Sequence, residues 1–304
     1  MKKILIIGGT GFIGYHLAKA SKKRKFKVTS ISTKKPKKNR YVKGVIYKLC
    51  NITNKISLEK KIQGYFDYVV NLGGYVDHSN KNQTFKSHYF GVKNLTKIFL
   101  KKPPKLFVQM GSCVEYGKIR SPQKEEQSSK LDLIKSTYGK AKLKSTQYLI
   151  DLFKNNQFPS VILRLYIAFG PKQEVNRFIP ITISACLKNK KFNSSTGTQM
   201  RDFIYIDDVI EAIFKCFKNK KSHGQIFNIG SGKPKKVKDI IEKVKKISGG
   251  GSPQFGKVKL RKDEIKYLYP SINKAKKLLK WKPTTTFDNG LKKTIRSYNE
   301  KKKI

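Results

Sequence analysis

Cysteine and histidine are scarce in this chain of 304 residues. The four cysteines lie far apart and form no CxxC pair, and the four histidines show no metal-ligand spacing. A disulfide scaffold and a zinc ribbon are therefore excluded, and no metal site is expected. No apolar run approaches the ~18 residues of a membrane span, and the N-terminal run is too short for a signal-peptide core. We expect a cytoplasmic protein without membrane contact.

Acidic residues are also few, with 19 against 68 Lys and Arg and a formal net charge of +49. Such a charge favours nucleic-acid binding. However, only 8 of the 68 basic residues are Arg, whose planar fork makes the bidentate contacts typical of base and phosphate recognition. The lysines are spread through every segment and form no basic arm with interleaved aromatics. We interpret them as solvated surface residues, with nucleic-acid binding as the alternative.

Apolar strand patterns and amphipathic helix patterns alternate through the N-terminal half of the chain. Strands are predicted at residues 3–7, 26–32, 44–49, 68–72, 105–111 and 160–165, and helices at 12–22, 56–62, 90–100 and 137–155. Such alternation is typical of a parallel sheet with helices on both faces. Right-handed crossovers then predict an α/β, doubly wound Rossmann fold.

The pattern loosens after Gly170-Pro171. Short elements are predicted at residues 177–187, 201–205, 208–218, 225–229 and 237–247. We expect residues 1–170 to form a dinucleotide-binding Rossmann domain, to which residues 201–230 return. Residues 171–304 are expected to form mainly a smaller, mixed α/β lobe that caps the sheet.

Three glycines at GxxGxxG spacing connect the first strand to the first helix. Gly8 permits a tight turn, Gly11 lets the backbone approach a pyrophosphate, and Gly14 lets the helix pack close to the strand. This segment predicts dinucleotide contacts at Gly8, Thr10, Gly11, Phe12, Ile13 and Gly14.

The second predicted strand ends without a carboxylate. An acid here would hydrogen-bond the adenosine ribose and select NAD. Ser32, Thr33 and Lys34 instead offer hydroxyls and an ammonium group, which suit the 2′-phosphate of NADP. NADP(H) is therefore the favoured cofactor, and NAD(H) is the alternative.

Tyr138 and Lys142 lie four residues apart on one predicted helix and therefore share a face. A nearby ammonium stabilises a phenolate, so we expect Lys142 to lower the pKa of Tyr138 from ~10 toward neutrality and to make it a general acid or base. Ser112 follows the fifth predicted strand, at the sheet edge where ligands bind in such folds. We expect its hydroxyl to hydrogen-bond a substrate oxygen.

These glycines, together with Ser112, Tyr138 and Lys142, make the chain resemble the extended short-chain dehydrogenase/reductases, and within them the nucleotide-sugar epimerases, dehydratases and reductases. Matches at residues 71–74, 164–171, 201–208, 227–230 and 279–283 extend the resemblance over nearly the whole chain. It implies that Tyr138 moves the proton of a sugar hydroxyl, that Lys142 holds the nicotinamide ribose, and that Ser112 binds the same sugar oxygen. Hydride would pass between the sugar and the nicotinamide.

The resemblance implies further contacts. Additional cofactor contacts are expected at Asn51, Ile52, Leu72, Gly73 and Gly74. A nucleotide-diphosphate sugar is expected to contact Ser112, Cys113, Tyr75, Arg177, Arg201 and Arg261, with Arg201 and Arg261 on the diphosphate. For Arg201, an ion pair with Asp202 or Asp208 is the alternative. Relatives usually pair through helices that include the Tyr-bearing one, so a homodimer is expected. Three residues depart from the family pattern: His88, which stands where an Asn often supports the cofactor region, Ile134 and Ile167.

The residues after Ser112 bear on the type of reaction. Dehydratases of this family carry an acid pair at the positions of Cys113 and Val114, neither of which supplies the acid and base that elimination needs. Glu115 would point the other way on an extended segment, and we interpret it as a structural hydrogen-bond acceptor. The GSxxEYG form resembles that of reductases acting on nucleotide-linked 4-keto-6-deoxy sugars, and the missing ribose acid agrees, so a 4-keto sugar reductase is favoured. A 4-epimerase with tightly held NAD is the alternative, and a non-enzymatic regulator that binds a dinucleotide or nucleic acid is an alternative of another class.

Overall fold

The computed structural model describes residues 1–75, 77–127, 130–260 and 264–299. Its strands are β1 Lys3–Ile7, β2 Lys27–Ser32, β3 Ile46–Leu49, β4 Tyr68–Asn71, β5 Leu106–Ser112, β6 Ser160–Leu165, β7 Ile167–Phe169, β8 Lys191–Asn193, β9 Met200–Arg201, β10 Phe203–Tyr205, β11 Gln225–Ile229, β12 Lys235–Lys236, β13 Ser252–Gln254 and β14 Tyr267–Leu268. Its α-helices are α1 Phe12–Lys23, α2 Lys55–Lys61, α3 Lys81–Phe85, α4 Gly91–Phe99, α5 Thr137–Asn156, α6 Phe178–Leu187, α7 Ile206–Phe217, α8 Val237–Ser248 and α9 Phe287–Asn299.

A seven-stranded sheet runs in the order β11-β6-β5-β4-β1-β2-β3, and every neighbouring pair in it is parallel. Its central strands β4, β5 and β6 are mostly apolar and almost entirely buried, as expected for a sheet that is covered on both faces. The strand order reverses between β1 and β4, which leaves a crevice at their carboxyl ends. The predicted doubly wound α/β fold is therefore confirmed.

Side-chain alternation along the strands builds one core on each face of the sheet. Ile4 and Ile6 of β1 pack in the same core as Leu17 of α1 and Val209 of α7. Leu5 and Ile7 point to the other face and share a core with residues of α2, α4 and α5. The loops at the carboxyl end of the sheet are thus held by packing on both sides.

Two predicted elements differ from the structure. The single strand predicted at residues 201–205 is wrong: β9 pairs with β12 and β14, whereas β10 pairs with β7. Buried Asp202 separates them because its carboxylate accepts hydrogen bonds from the backbone N (2.7 Å) and hydroxyl (2.9 Å) of Ser231. The helix predicted at residues 90–100 begins earlier, since Asn80 caps α3 and one π turn joins α3 to α4.

The C-terminal part of the chain contributes to more than one layer. Strand β11 pairs with β6 at the edge of the main sheet, and α7 packs beside α1. The division into two domains stays a prediction. Within the described ranges, no helix has the length and apolar character needed to cross a membrane.

Candidate active site

The turn between β1 and α1 is shaped to receive an anion. Gly8 has a φ of +78°, and a Cβ on Gly14 would lie 2.2 Å from the Gly8 carbonyl oxygen and 2.6 Å from the Gly9 Cα. Helix α1 begins after Gly11 with no side-chain cap and no acid in its first turn. Its first N–H groups therefore remain available at the positive end of the helix dipole. This cradle fits the pyrophosphate of a dinucleotide.

Other predicted cofactor residues follow the ends of β2 and β3. Thr10 donates its backbone N–H to Ser32 Oγ (3.3 Å), so the end of β2 touches the glycine turn. Thr33 and Lys34 follow as exposed residues. Ile52 is buried, whereas the side chain of Asn51 turns back to accept the N–H of Thr53 (3.0 Å).

The end of β4 forms the facing wall of the crevice. The backbone N–H of Leu72 donates to the Ile7 carbonyl (3.0 Å), and that of Gly73 donates to Asn71 Oδ1 (3.0 Å). A Cβ on Gly74 would lie 1.8 Å from Cε1 of the His88 ring. A side chain at this position would therefore have to displace the His88 ring.

The three candidate catalytic residues come from two elements at this edge of the sheet. Ser112 ends β5, while Tyr138 and Lys142 lie on successive turns of α5. Helix α5 begins after Ser136, whose hydroxyl accepts the N–H of Gly139 (3.0 Å). The Lys142 ammonium donates to the carbonyl of Met110 on β5 (2.7 Å) and lies 5.8 Å from the centre of the Tyr138 ring. The structure thus brings the predicted trio together.

The predicted lowering of the Tyr138 pKa by Lys142 is wrong for the protein alone. Desolvation by burial raises the pKa of Tyr138 to about 12, and a hydrogen bond with Ser112 and the charge of Arg177 offset this only in part. Burial likewise lowers the pKa of Lys142 to about 8. The spacing of four residues correctly places the ammonium near the phenol, but desolvation has the largest effect on the pKa of Tyr138. At neutral pH, Tyr138 is a phenol.

The buried ammonium gives a testable pH dependence. The pKa of Lys142 is about 8 in the folded protein and 10.5 as its ordinary value, so the unfolded chain binds more protons between these limits. The free energy of unfolding of the native protein, minus that of Lys142→Met, should therefore rise with pH by up to about 1.4 kcal/mol per unit between pH 8 and 10.5. Urea titrations at several pH values measure this difference. Lys140→Met, at an exposed position of the same helix, should show no such slope, and a flat difference for Lys142→Met would contradict the assignment.

Two imidazoles flank Tyr138. The ring of His78 is stacked on the Tyr138 ring at a centroid distance of 4.2 Å, and the ring of His88 meets it edge-on at 4.8 Å. Burial and the charge of Lys142 lower the pKa of His88 to about 2, so this ring is neutral. The sequence analysis missed His78, because a histidine in a loop carries no spacing signal. No set of three or more His, Cys, Asp or Glu within the described ranges is arranged to hold a metal ion.

The segment after Ser112 was expected to be extended, and this is wrong: Cys113–Tyr116 forms a single 3-10 turn. Ser112 caps this turn with its hydroxyl, and Glu115 accepts the backbone N–H of Ser112 in return (2.7 Å). Such a reciprocal capping box requires Glu three residues after the cap. Glu115 is fully buried, in keeping with its interpretation as a structural acceptor.

A cavity of about 310 Å³ opens beside this turn. It is lined by Cys113, Val114, Gly117, Lys118, Leu133, Ile134, Lys135, Ser136, Arg201, Glu264, Ile265 and Leu268. Arg201 forms an ion pair with Glu264, rather than with Asp202 or Asp208, because Asp202 binds Ser231 and Asp208 accepts N–H groups of Thr284 and Thr285.

The remaining predicted substrate contacts are more dispersed. Arg177 precedes α6 as an exposed residue close enough to influence Tyr138 electrostatically. Tyr75 is 38% exposed, and its backbone N–H donates to Ser87 Oγ (2.9 Å). Arg261 lies outside the described residues. Of the predicted set, Ser112, Cys113 and Arg177 therefore lie at or next to the trio, while Arg201 lines the adjoining cavity.

The sequence model of the NAD dependent epimerase/dehydratase family matches residues 4–230. The chain belongs to this family. A relative in Bacillus cytotoxicus, UDP-N-acetyl-alpha-D-glucosaminuronate decarboxylase, is 26% identical over 98% of each chain. The dTDP-4-dehydro-6-deoxyglucose reductase of Escherichia coli is 28% identical over 63% of this chain and 60% of its own. The structure of UDP-glucuronic acid 4-epimerase from Bacillus cereus, in complex with UDP-glucuronic acid and NAD, has a TM-score of 0.86 at 26% identity and covers 98% of this chain and 99% of that one.

Membership of the epimerase/dehydratase family confirms the resemblance drawn from the glycine turn and the Ser, Tyr and Lys positions. The relatives carry out several reactions, as their names state. The family therefore establishes the class of enzyme but leaves the individual reaction to be argued from the site.

Proposed function

We propose that this protein reduces the 4-keto group of a nucleotide-linked sugar. The observation that carries the proposal is the hydrogen bond between the Tyr138 phenol and the Ser112 hydroxyl at the carboxyl end of β5, where burial also raises the pKa of Tyr138 to about 12. Reduction of a ketone needs a proton donor beside the carbonyl oxygen. A phenol that stays protonated at neutral pH, next to the Ser112 hydroxyl, is such a donor.

The chain's own residues divide the work between orientation and proton transfer. Ser112 would hydrogen-bond the keto oxygen, and Tyr138 would donate its proton to that oxygen as negative charge develops there. A reduced nicotinamide, when bound in the crevice, supplies the hydride that forms the new C–H bond. The carbonyl becomes a hydroxyl, and the Tyr138 phenolate regains a proton from solvent. Lys142, anchored on Met110, would hold the nicotinamide ribose.

The turn after Ser112 argues against elimination of water. Cys113 is buried, and burial raises the pKa of its thiol to about 12, so the thiol stays neutral. Val114 has no titratable group, and both carboxylate oxygens of Glu115 are engaged by neighbouring donors. None of these three residues is placed to serve as the acid and base of a dehydratase.

A nucleotide-sugar 4-epimerase is the second candidate. It is supported by the likeness to the Bacillus cereus 4-epimerase, which was solved with a nucleotide sugar and NAD. An epimerase must first remove a proton from the sugar hydroxyl, and this step would need a Tyr138 pKa well below about 12. A bound pyridinium charge would act in that direction.

The end of β2 supports a preference for NADP(H). Residues 1–58 contain no Asp or Glu. The first three strands therefore offer no carboxylate that could accept hydrogen bonds from the ribose hydroxyls of NAD or repel the 2′-phosphate of NADP. Ser32 is fixed on the glycine turn by Thr10, and Thr33 and Lys34 stand exposed beside it. A family member, the Bacillus cereus 4-epimerase, was solved with NAD, so the proposed preference for NADP(H) rests only on Ser32, Thr33 and Lys34 of this chain.

Placing a carboxylate at position 32 tests this preference. Like charges in contact cost several kcal/mol, so Ser32→Asp should weaken NADPH binding by about tenfold or more, while NADH binding is kept or strengthened because the carboxylate can accept hydrogen bonds from the adenosine ribose. Fluorescence titration of each dinucleotide measures both constants. Ser252→Asp adds the same charge at an exposed position of β13 and should leave both unchanged. Equal losses for NADPH and NADH in Ser32→Asp would contradict the proposed role.

The proposed reaction is tested by its stoichiometry. A nucleotide-linked 4-keto sugar and excess NADPH should give one equivalent of oxidised dinucleotide per equivalent of hydroxyl product, followed by absorbance at 340 nm and chromatography. An epimerase would instead interconvert two hydroxyl epimers without net loss of reduced dinucleotide. If neither substrate type reacts and the protein binds nucleic acid with a steep salt dependence, the non-enzymatic alternative gains the support.

A further inference from the structure

We propose that Glu115 is a positioning residue that holds Ser112 at a fixed separation from Tyr138. This inference rests on the proposed function, because it assigns Glu115 a part in arranging the same site. Glu115 lies three residues after Ser112, yet its carboxylate reaches three separate elements: the end of β5, helix α5 and strand β6.

The two carboxylate oxygens have different partners. Oε1 accepts the backbone N–H of Ser112 (2.7 Å), at the carboxyl end of β5. Oε2 accepts the hydroxyl of Thr146 on α5 (2.8 Å) and the Nε–H of Arg164 on β6 (2.9 Å). One side chain thus connects the residue that would hold the sugar oxygen to the helix that carries Tyr138 and Lys142.

The surroundings allow this carboxylate little freedom. Glu115 is fully buried, and Thr146 and Arg164 are each 2% exposed. The Arg164 guanidinium lies 4.3 Å from the centre of the Tyr116 ring. A Cβ on Gly111 would lie 2.6 Å from Glu115 Oε1, so the glycine before Ser112 makes room for the carboxylate. Buried charged hydrogen bonds of this kind hold their partners in one geometry.

Positioning matters here because proton transfer depends on short distances. Ser112 and Tyr138 must both hydrogen-bond the keto oxygen of the sugar. A displacement of either hydroxyl by about 1 Å can lower the rate roughly 100-fold. The hydrogen bond from Thr146 to Glu115 connects α5 to the turn that begins at Ser112. Thr146 lies two helical turns after Tyr138. Loss of this hydrogen bond would let α5 shift relative to Ser112, while the glycine turn at the other side of the crevice stays intact.

Two variants distinguish the hydrogen bond between Thr146 and Glu115 from the negative charge of Glu115. Thr146→Val removes only the bond to α5 and keeps the carboxylate and its Arg164 partner. Glu115→Gln keeps the shape but sets an amide N–H against the Arg164 donor. Both should lower kcat by about tenfold or more, whereas the Kd for dinucleotide should change by no more than a few-fold, because Lys142 keeps its own hydrogen bond to Met110. Thr96→Val is the matched control, because Thr96 is also a buried threonine that bonds α5, through the Tyr148 hydroxyl (2.9 Å), but contacts neither Ser112 nor Glu115.

A readout independent of turnover completes the experiment. The 13Cζ resonance of Tyr138 in protein labelled with [ζ-13C]tyrosine, assigned by its absence from Tyr138→Phe, reports the hydrogen bonding of the phenol. Its chemical shift should differ from that of the native protein in Thr146→Val and Glu115→Gln and should be unchanged in Thr96→Val. An unmoved resonance and unchanged kcat in Thr146→Val, or the same effects in Thr96→Val, would overturn the inference, and Thr146→Val decides alone if Glu115→Gln does not fold. If the native protein has no reductase activity, the resonance still decides the role of Glu115, and only the proposed function fails.

Discussion

Tyr138→Phe should lower the turnover of a nucleotide-linked 4-keto sugar by about 10²- to 10⁴-fold, the usual contribution of general acid catalysis. The substitution removes one hydroxyl and keeps the ring that stacks on His78. Dinucleotide binding should therefore stay within a few-fold of the native value. The measurement is steady-state kcat with saturating NADPH, together with a separate titration of NADPH binding.

The chain offers a matched control for this variant. Tyr148 lies on the same helix, and its hydroxyl meets Thr96 rather than Ser112. Tyr148→Phe should leave kcat nearly unchanged. Retained turnover in Tyr138→Phe would mean that another group donates the proton, and the assignment of Tyr138 would be wrong.

Gly14→Ala should abolish dinucleotide binding or weaken it by roughly 100-fold or more. The new Cβ would lie 2.2 Å from the Gly8 carbonyl oxygen and 2.6 Å from the Gly9 Cα, and both are backbone atoms that cannot rotate away. The turn or helix α1 must move, and losing one or two backbone hydrogen bonds to a charged pyrophosphate, at about 1.5–3 kcal/mol each, weakens binding by about 100-fold. Isothermal titration with NADPH and with NADH measures the loss.

Gly64→Ala separates this local effect from general destabilisation. Gly64 has a φ of +79° with no atom within 4 Å of its added Cβ, so alanine there strains the backbone without a clash. It should lower the melting temperature but leave the dinucleotide Kd of the folded protein unchanged. Native-like binding in folded Gly14→Ala would contradict the placement of the pyrophosphate at this turn.

The strands of the main sheet could be predicted from the sequence because each is marked by the residues of its own segment. Runs such as Lys3–Ile7 and Ser160–Leu165 are mostly apolar and are strands with the predicted bounds. The glycines at positions 8, 11 and 14 are read from spacing alone, since each answers a steric demand of the turn. Tyr138 and Lys142 share a helix face for the same reason.

What the sequence could not give depends on distant neighbours. The pKa of Tyr138 is governed by desolvation, which depends on the whole wall of the site. The partner of Arg201 is Glu264, 63 positions away, whereas Asp202 and Asp208, its neighbours in sequence, are engaged elsewhere. The stacking of His78 on Tyr138 is set by the path of a loop after β4, and no motif marks it.

The conformation of Cys113–Tyr116 differs from the expected extended segment, although Glu115 is a structural acceptor in either case. On an extended segment, Glu115 would point away from Ser112. In the 3-10 turn it folds back onto the Ser112 N–H instead. The capping-box spacing of Ser112 and Glu115 was present in the sequence, and it could have predicted the turn.

The most direct test of the central claim is the identity of the dinucleotide that the purified protein retains, measured by denaturation and mass spectrometry. Reduction of a 4-keto sugar with exchangeable NADPH predicts an NADP form, or an empty site that then binds NADPH well above NADH. NAD⁺ retained in near one-to-one amount would contradict this account, show that the interpretation of Ser32 is wrong, and favour the 4-epimerase. Absence of binding to either dinucleotide would contradict both enzymes and favour the non-enzymatic alternative.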